Sequence, residues 1–126
     1  MKERSQIKQD WQRFFSAASA LLCAWSVAMS AYASHGLQGD SRQRMFMASY
    51  FAFAHGLSLI MLVRLSSARS NLWACSLMLS GLLMFSGSLS LAAIWHTSTA
   101  LAPAGGMALI IAWCWTAVNF FRSGEK

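Results

Sequence analysis

Apolar residues gather into four long runs with short polar stretches between them. The runs extend from about Phe14 to Ser34, Met45 to Val63, Leu72 to Trp95 and Leu101 to Phe121. Each comes close to the roughly 20 residues that a helix needs to cross the hydrocarbon of a bilayer. None alternates with period two, so a barrel is excluded. A chain inside lipid must satisfy its own backbone hydrogen bonds, and these runs are therefore predicted as helices. The expected fold is all-α: an integral membrane four-helix bundle over 14–121, with a basic tail at 1–13 and a second short tail at 122–126.

The connecting segments set the orientation. Lys2, Arg4, Lys8 and Arg13 precede the first run, Arg64 and Arg69 flank the second connection, and Arg122 and Lys126 follow the last run. The opposite side carries only Arg42 and Arg44. Cytoplasmic segments hold the excess of Lys and Arg, so both termini are expected in the cytoplasm, N-in and C-in, with a bacterial inner membrane as the location. Aromatic residues agree: Trp11, Phe14, Phe15, Trp73, Phe120 and Phe121 fall at that boundary, and Tyr32 and Trp95 at the other. Asn71 is placed to cap the third helix, and Pro103 falls in the first turn of the fourth, where a missing N–H costs little.

Composition adds two exclusions. The chain is 56% hydrophobic and 11% charged, too apolar to clothe a water-facing surface, so its expected surroundings are membrane lipid. The net charge of +6 lies beside the apolar runs and forms no basic face, which argues against nucleic acid. The basic start and Ala31-Tyr32-Ala33 resemble a cleaved signal peptide, but the first apolar run is of spanning length, well beyond a signal core of about 7–15 residues. Cys23, Cys75 and Cys114 each sit alone in an apolar run and read as small hydrophobes.

Small residues at four-residue spacing let membrane helices approach closely, since no hydrophobic force draws them together in lipid. Ser16, Ala20, Ala24 and Ala28 form such a row in the first helix, and Ser26, Ser30 and Ser34 a second. The third helix carries Ser76, Ser80 and Gly81, then Ser86, Gly87 and Ser88. The fourth has Gly105 and Gly106 after Pro103, with the row Ala104, Ala108, Ala112 and Thr116. Close contacts among helices one, three and four are expected from these rows.

Ionisable groups at membrane depth are uncommon, which draws attention to three histidines. His55 lies near the middle of the second run, roughly 13 Å below the surface at 1.5 Å per residue. Its plainest role is a neutral imidazole bonded to a serine or a backbone carbonyl on a neighbouring helix; a proton relay or ligand contact is the sharper one. His35 and His96 close the first and third helices at one membrane level. Interfacial residues facing water are the ordinary reading, and a haem or metal ion held between them the bolder one, although no HxxxH, HExxH or cysteine partner accompanies them. Met45 and Met47 read as apolar filler. No GxSxG or P-loop occurs, and the four carboxylates Glu3, Asp10, Asp40 and Glu125 lie outside the apolar runs, so no enzymatic constellation is expected. Free N–H groups at Gly105-Gly106 would suit an anion, and a close helix crossing explains the glycines equally well.

The segments SAYASHGL (30–37), FAFAHGLSL (51–59), FSGSLSL (85–91) and APAGGMALIIAW (102–113), in this order, resemble the small bacterial membrane-protein family catalogued as domain of unknown function 423, whose eukaryotic relatives are called transmembrane protein 256. The likeness runs from about Phe14 to Phe121. The family's Gly-Ala-His ending of helix one resembles Ala33-Ser34-His35, its Tyr-x-x-x-His resembles Phe51 to His55, and its Phe-Ser-Gly-Ser-Leu matches Phe85 to Leu89. Its Thr-Pro-x-Gly-Gly resembles Ala102 to Gly106. Phe51 and Ala102 lack the hydroxyls of the family pattern, and Ser30 and Ser34 stand where it has glycine. The resemblance implies four spanning helices in the inner membrane and no agreed activity.

Three functional classes follow. The first is a non-catalytic accessory or partner-binding subunit, as a homo-oligomer or within a larger membrane complex. The second is a carrier or channel for a small solute or ion, with His55 and the serines, Ser86 and Ser88 among them, lining the path. The third is an electron carrier with a cofactor on His35 and His96.

Overall fold

The computed structural model of the protein describes residues 2–65 and 69–123. Four helices account for nearly all of them: α1 (Lys2–Gly36), α2 (Gly39–Leu65), α3 (Arg69–Trp95) and α4 (Leu101–Ser123). Each is long and apolar enough to cross a membrane, and no strand occurs among the described residues.

The helices exceed the apolar runs at several ends. The expected tail at 1–13 is helical from Lys2 and continuous with α1, whose 35 residues reach about 52 Å at 1.5 Å each. No glycine or proline interrupts this basic stretch, so nothing in it stops the helix. The short tail at 122–126 begins inside α4, and Gly124–Lys126 lie outside the described residues.

Two residues separate α1 from α2, and Gly39 takes a φ of +56°, a backbone state that glycine adopts without cost. His96 follows α3 with a φ of +54°, the left-handed turn that commonly ends a helix. From there Ser98 Oγ accepts from the Ala100 N–H at 3.2 Å, and Thr99 O accepts from Ala102 N–H at 3.0 Å as α4 begins. Pro103 sits in that first turn as the sequence suggests.

Packing follows chain order: α1 lies on α2, α2 on α3, and α3 on α4. The expected close contact of α1 with α3 and α4 is not formed. Nor is the row Ala20, Ala24 and Ala28 the contact face; all three are exposed. Phe15, Ser19, Ser26 and Ala33 are buried instead. The reason is Gly56 on α2. A Cβ there would meet Cys23 Sγ at 2.9 Å and Ser19 O at 3.1 Å, so this glycine admits the other face of α1.

The α3–α4 seam is tighter. A Cβ on Gly105 would lie 2.5 Å from Phe85 N and 2.7 Å from Gly81 O; one on Gly81 would lie 2.9 Å from Ala108 Cβ. Ala112 and Thr116 continue the buried stripe of α4, whereas Ala104 is exposed. Gly106 meets Phe85 at ordinary contact distance. Gly87, expected to pack, has nothing within 4 Å of where its Cβ would be. Its face lies outside the α3–α4 crossing, which Gly81 and Phe85 occupy.

The largest buried cluster lies where the helices meet near the end of α2 and the start of α3, and includes Phe15, Leu59, Val63, Met78, Leu82 and Leu109. At that end two amides reach across. Asn71 Nδ2 donates to Leu62 O at 2.8 Å and Gln12 Nε2 donates to Val63 O at 3.0 Å. The last carbonyls of a helix have no partner within it, and α1 and α3 supply them here. Asn71 was expected as the N-cap of α3; it lies inside that helix, which begins at Arg69, and serves the end of α2 instead.

Candidate functional site

His55 is the seventeenth of the 27 residues of α2, well inside the span. Both ring nitrogens are engaged. Trp113 on α4 brings its Nε1 within 3.1 Å of His55 Nε2, and His55 Nδ1 lies 2.9 Å from Phe51 O. An indole N–H only donates, so Nε2 is the acceptor and the proton sits on Nδ1, where it is given to the Phe51 carbonyl. The imidazole is thereby neutral with donor and acceptor both used. The partner expected from a neighbouring helix, a serine or a carbonyl, is not the one found: the carbonyl is Phe51 O, one turn back on the same helix, and the cross-helix partner is the indole of Trp113.

Aromatic rings extend this pair into a stack across three helices. Phe51 lies against His55 with ring centres 5.6 Å apart and planes 11° from parallel. Phe85 of α3 follows at 4.7 Å from Phe51, and the His55 and Trp113 rings are 6.0 Å apart. The backbone of Phe85 is the one that presses on Gly105. Three of the segments noticed in the sequence therefore converge: Phe51 and His55, Phe85, and Gly105 with Trp113. Phe51 acts through its ring face, which needs no hydroxyl.

The remaining candidates stand apart. Ser86 and Ser88 are buried on α3, and no hydrogen bond joins either to His55; Ser90 Oγ donates to Ser86 O at 2.6 Å. His35 is exposed in the last turn of α1, and His96 is exposed after α3. Among the described residues no group of three His, Cys, Asp or Glu side chains is gathered where a metal could be held.

Trp113 and Gly56 were not singled out from the sequence. Both lie within or beside quoted segments, but the indole partner of His55 is 58 residues away, and no periodicity reveals a single polar nitrogen on a tryptophan.

Comparison with known proteins fits this architecture. A UPF0382 membrane protein of Staphylococcus haemolyticus is 30% identical over 118 residues, covering 87% of this chain and 97% of its own. The UPF0382 membrane protein of Staphylococcus epidermidis is 31% identical over 80% of this chain and 89% of its own, and YwdK of Bacillus subtilis, also a UPF0382 membrane protein, is 27% identical over 80% and 90%. No solved structure matches. The profile of the family described as "Protein of unknown function (DUF423)" matches residues 29–106, the stretch that holds His35, His55, His96 and the glycines of the α3–α4 seam, and the chain belongs to that family.

Proposed function

We propose that this multi-pass membrane protein is a non-catalytic subunit that binds a transmembrane helix of another polypeptide, in a bacterial inner membrane with both termini cytoplasmic. The observation that carries the reading is the outward row Ala20, Ala24 and Ala28 on α1. Lipid chains gain little from a face of alanines, whereas a partner helix can bring its backbone close along it. The large side chains Leu21 and Val27 beside the row are exposed as well, 72% and 63%.

His55 supports the same reading against a carrier. A relay residue must exchange protons, and this imidazole has both nitrogens committed within the bundle. Its arrangement suits a role in tying α4 to α2. The Lys and Arg excess on one side supports the orientation.

The test is crosslinking through α1. Ala24→Cys in a background with Cys23, Cys75 and Cys114 replaced by alanine, oxidised in native membranes, should trap a discrete product at the mass of two copies or of one copy with a defined partner. Purification in mild detergent should recover the same stoichiometry. A chain that stays monomeric in both settings would sink the proposal.

A further inference from the structure

Two side-chain amides fix the height of α1 at the end of the bundle where α2 gives way to α3. Gln12 Nε2 donates to Val63 O at 3.0 Å and Asn71 Nδ2 to Leu62 O at 2.8 Å, so Gln12 lies level with the last turn of α2. From Gln12 back to Lys2 the helix rises about 15 Å past that level. The headgroup layer is about 5–8 Å deep on each side of the hydrocarbon. This part of α1 therefore passes through the phosphates.

Two cations meet there. Lys8 is one turn beyond Gln12 on the same face of α1, about 6 Å along the axis, which sets it over the end of α2 at phosphate depth. Arg64 follows Val63 directly. One hydrogen bond thus brings together two positive residues from different helices, both exposed. Neither has a carboxylate within ion-pair reach among the described residues, and Asp10, close by in sequence, lies 4.0 Å from Arg13. The opposite end of the bundle is built otherwise. Arg42 lies over the Phe46 ring, 5.7 Å from its centre, and Asp40 stands in the same first turn of α2.

We infer that Lys8 and Arg64 together hold the phosphodiester of an anionic phospholipid of the phosphatidylglycerol class, in the leaflet at this end of the bundle. Like charges held close repel, and one anion placed between them turns that repulsion into attraction. Basic sites between membrane helices suit anionic headgroups for this reason. A zwitterionic lipid carries its own cation beside the phosphate and offers less. Trp11, Leu65 and Trp73, all exposed near the two amide bonds, give acyl chains a surface that a free phosphate could not use. The site involves neither the alanine row of α1 nor the choice of compartment, so it stands apart from the subunit reading.

The test follows the unfolding temperature of the full chain in maltoside micelles as dioctanoyl phosphatidylglycerol is added. A saturable rise is expected, and dioctanoyl phosphatidylcholine should need about tenfold more lipid for the same rise. Lys8→Gln with Arg64→Gln should weaken half-saturation by about 25-fold, about fivefold for each cation removed. Lys8→Arg with Arg64→Lys keeps both charges and should bind as the parent does, which separates lost binding from a damaged fold. Arg42→Gln with Arg44→Gln removes the same charge at the other end and should change half-saturation less than about twofold. Equal weakening in that second pair would reduce the effect to net charge and overturn the inference. So would the absence of any rise, or equal potency of the phosphatidylcholine. Complete displacement by inorganic phosphate at about 1 mM would assign the cations to a free anion and overturn it as well.

Discussion

The α1–α2 and α3–α4 seams solve the same problem with different materials. On α3 and α4 glycine faces glycine, with Gly81 and Gly105 each touching the other's backbone, and the seam closes with Ala108 and Ala112 behind it. On α1 and α2 one glycine, Gly56, faces a serine backbone and a thiol; the seam closes at that level and opens into a groove toward Ser49 and Phe46. Two glycines at one crossing produce a sealed interface. One produces a pivot with space beside it. Since packing, hydrogen bonds and lipid entropy are what hold helices together in a membrane, the first seam is where stability is concentrated and the second is the looser of the two.

The largest effect is expected at the sealed seam. Gly105→Ala would put a carbon 2.5 Å from Phe85 N, a backbone atom that cannot turn aside, and should cost about 3 kcal/mol, read by unfolding in mixed micelles. A loss below about 1 kcal/mol would mean that α3 and α4 part readily, and the contrast between the seams would fail. At the pivot, Gly56→Ala meets the thiol of Cys23 first, at 2.9 Å, and Ser19 O at 3.1 Å. It should cost about 1 kcal/mol, and adding Cys23→Ala should restore part of the loss, since the nearest atom is then gone. No recovery in the double variant would place the obstruction on the Ser19 carbonyl and show the pivot to be as rigid as the other seam. Gly87→Ala should be neutral or gain up to about 1 kcal/mol, because the added carbon meets nothing and alanine favours the helix.

How much of this could be read without coordinates depends on whether one chain segment suffices to decide. The four spans were legible, since hydrocarbon demands long apolar helices, and so was the use of small residues for close approach, but not which would pair: Gly81 meets Gly105, while Gly87 meets nothing. The face of α1 was not legible either. Its sequence carries small residues on two sides, and Gly56, on another helix, selects Ser19 and Ser26 over Ala20 and Ala24. Asn71 misled for a related reason: an asparagine near a helix start suits capping, and only the arrival of α2 shows that Leu62 O is its partner. His55 stands out by its depth, while its partner Trp113, 58 residues away, becomes relevant only once α4 folds beside α2.

The amides of Gln12 and Asn71 have an effect on the connector that follows α2. Gln12 of α1 and Asn71 of α3 donate to Val63 O and Leu62 O, two carbonyls near the end of α2, and all four groups lie outside residues 66–68. Closing a longer loop costs only about 0.6 kcal/mol per doubling of its length. That link is therefore the natural place to lengthen or sever the polypeptide, or to splice in a reporter, with the helices on either side still finding each other through groups that lie outside it.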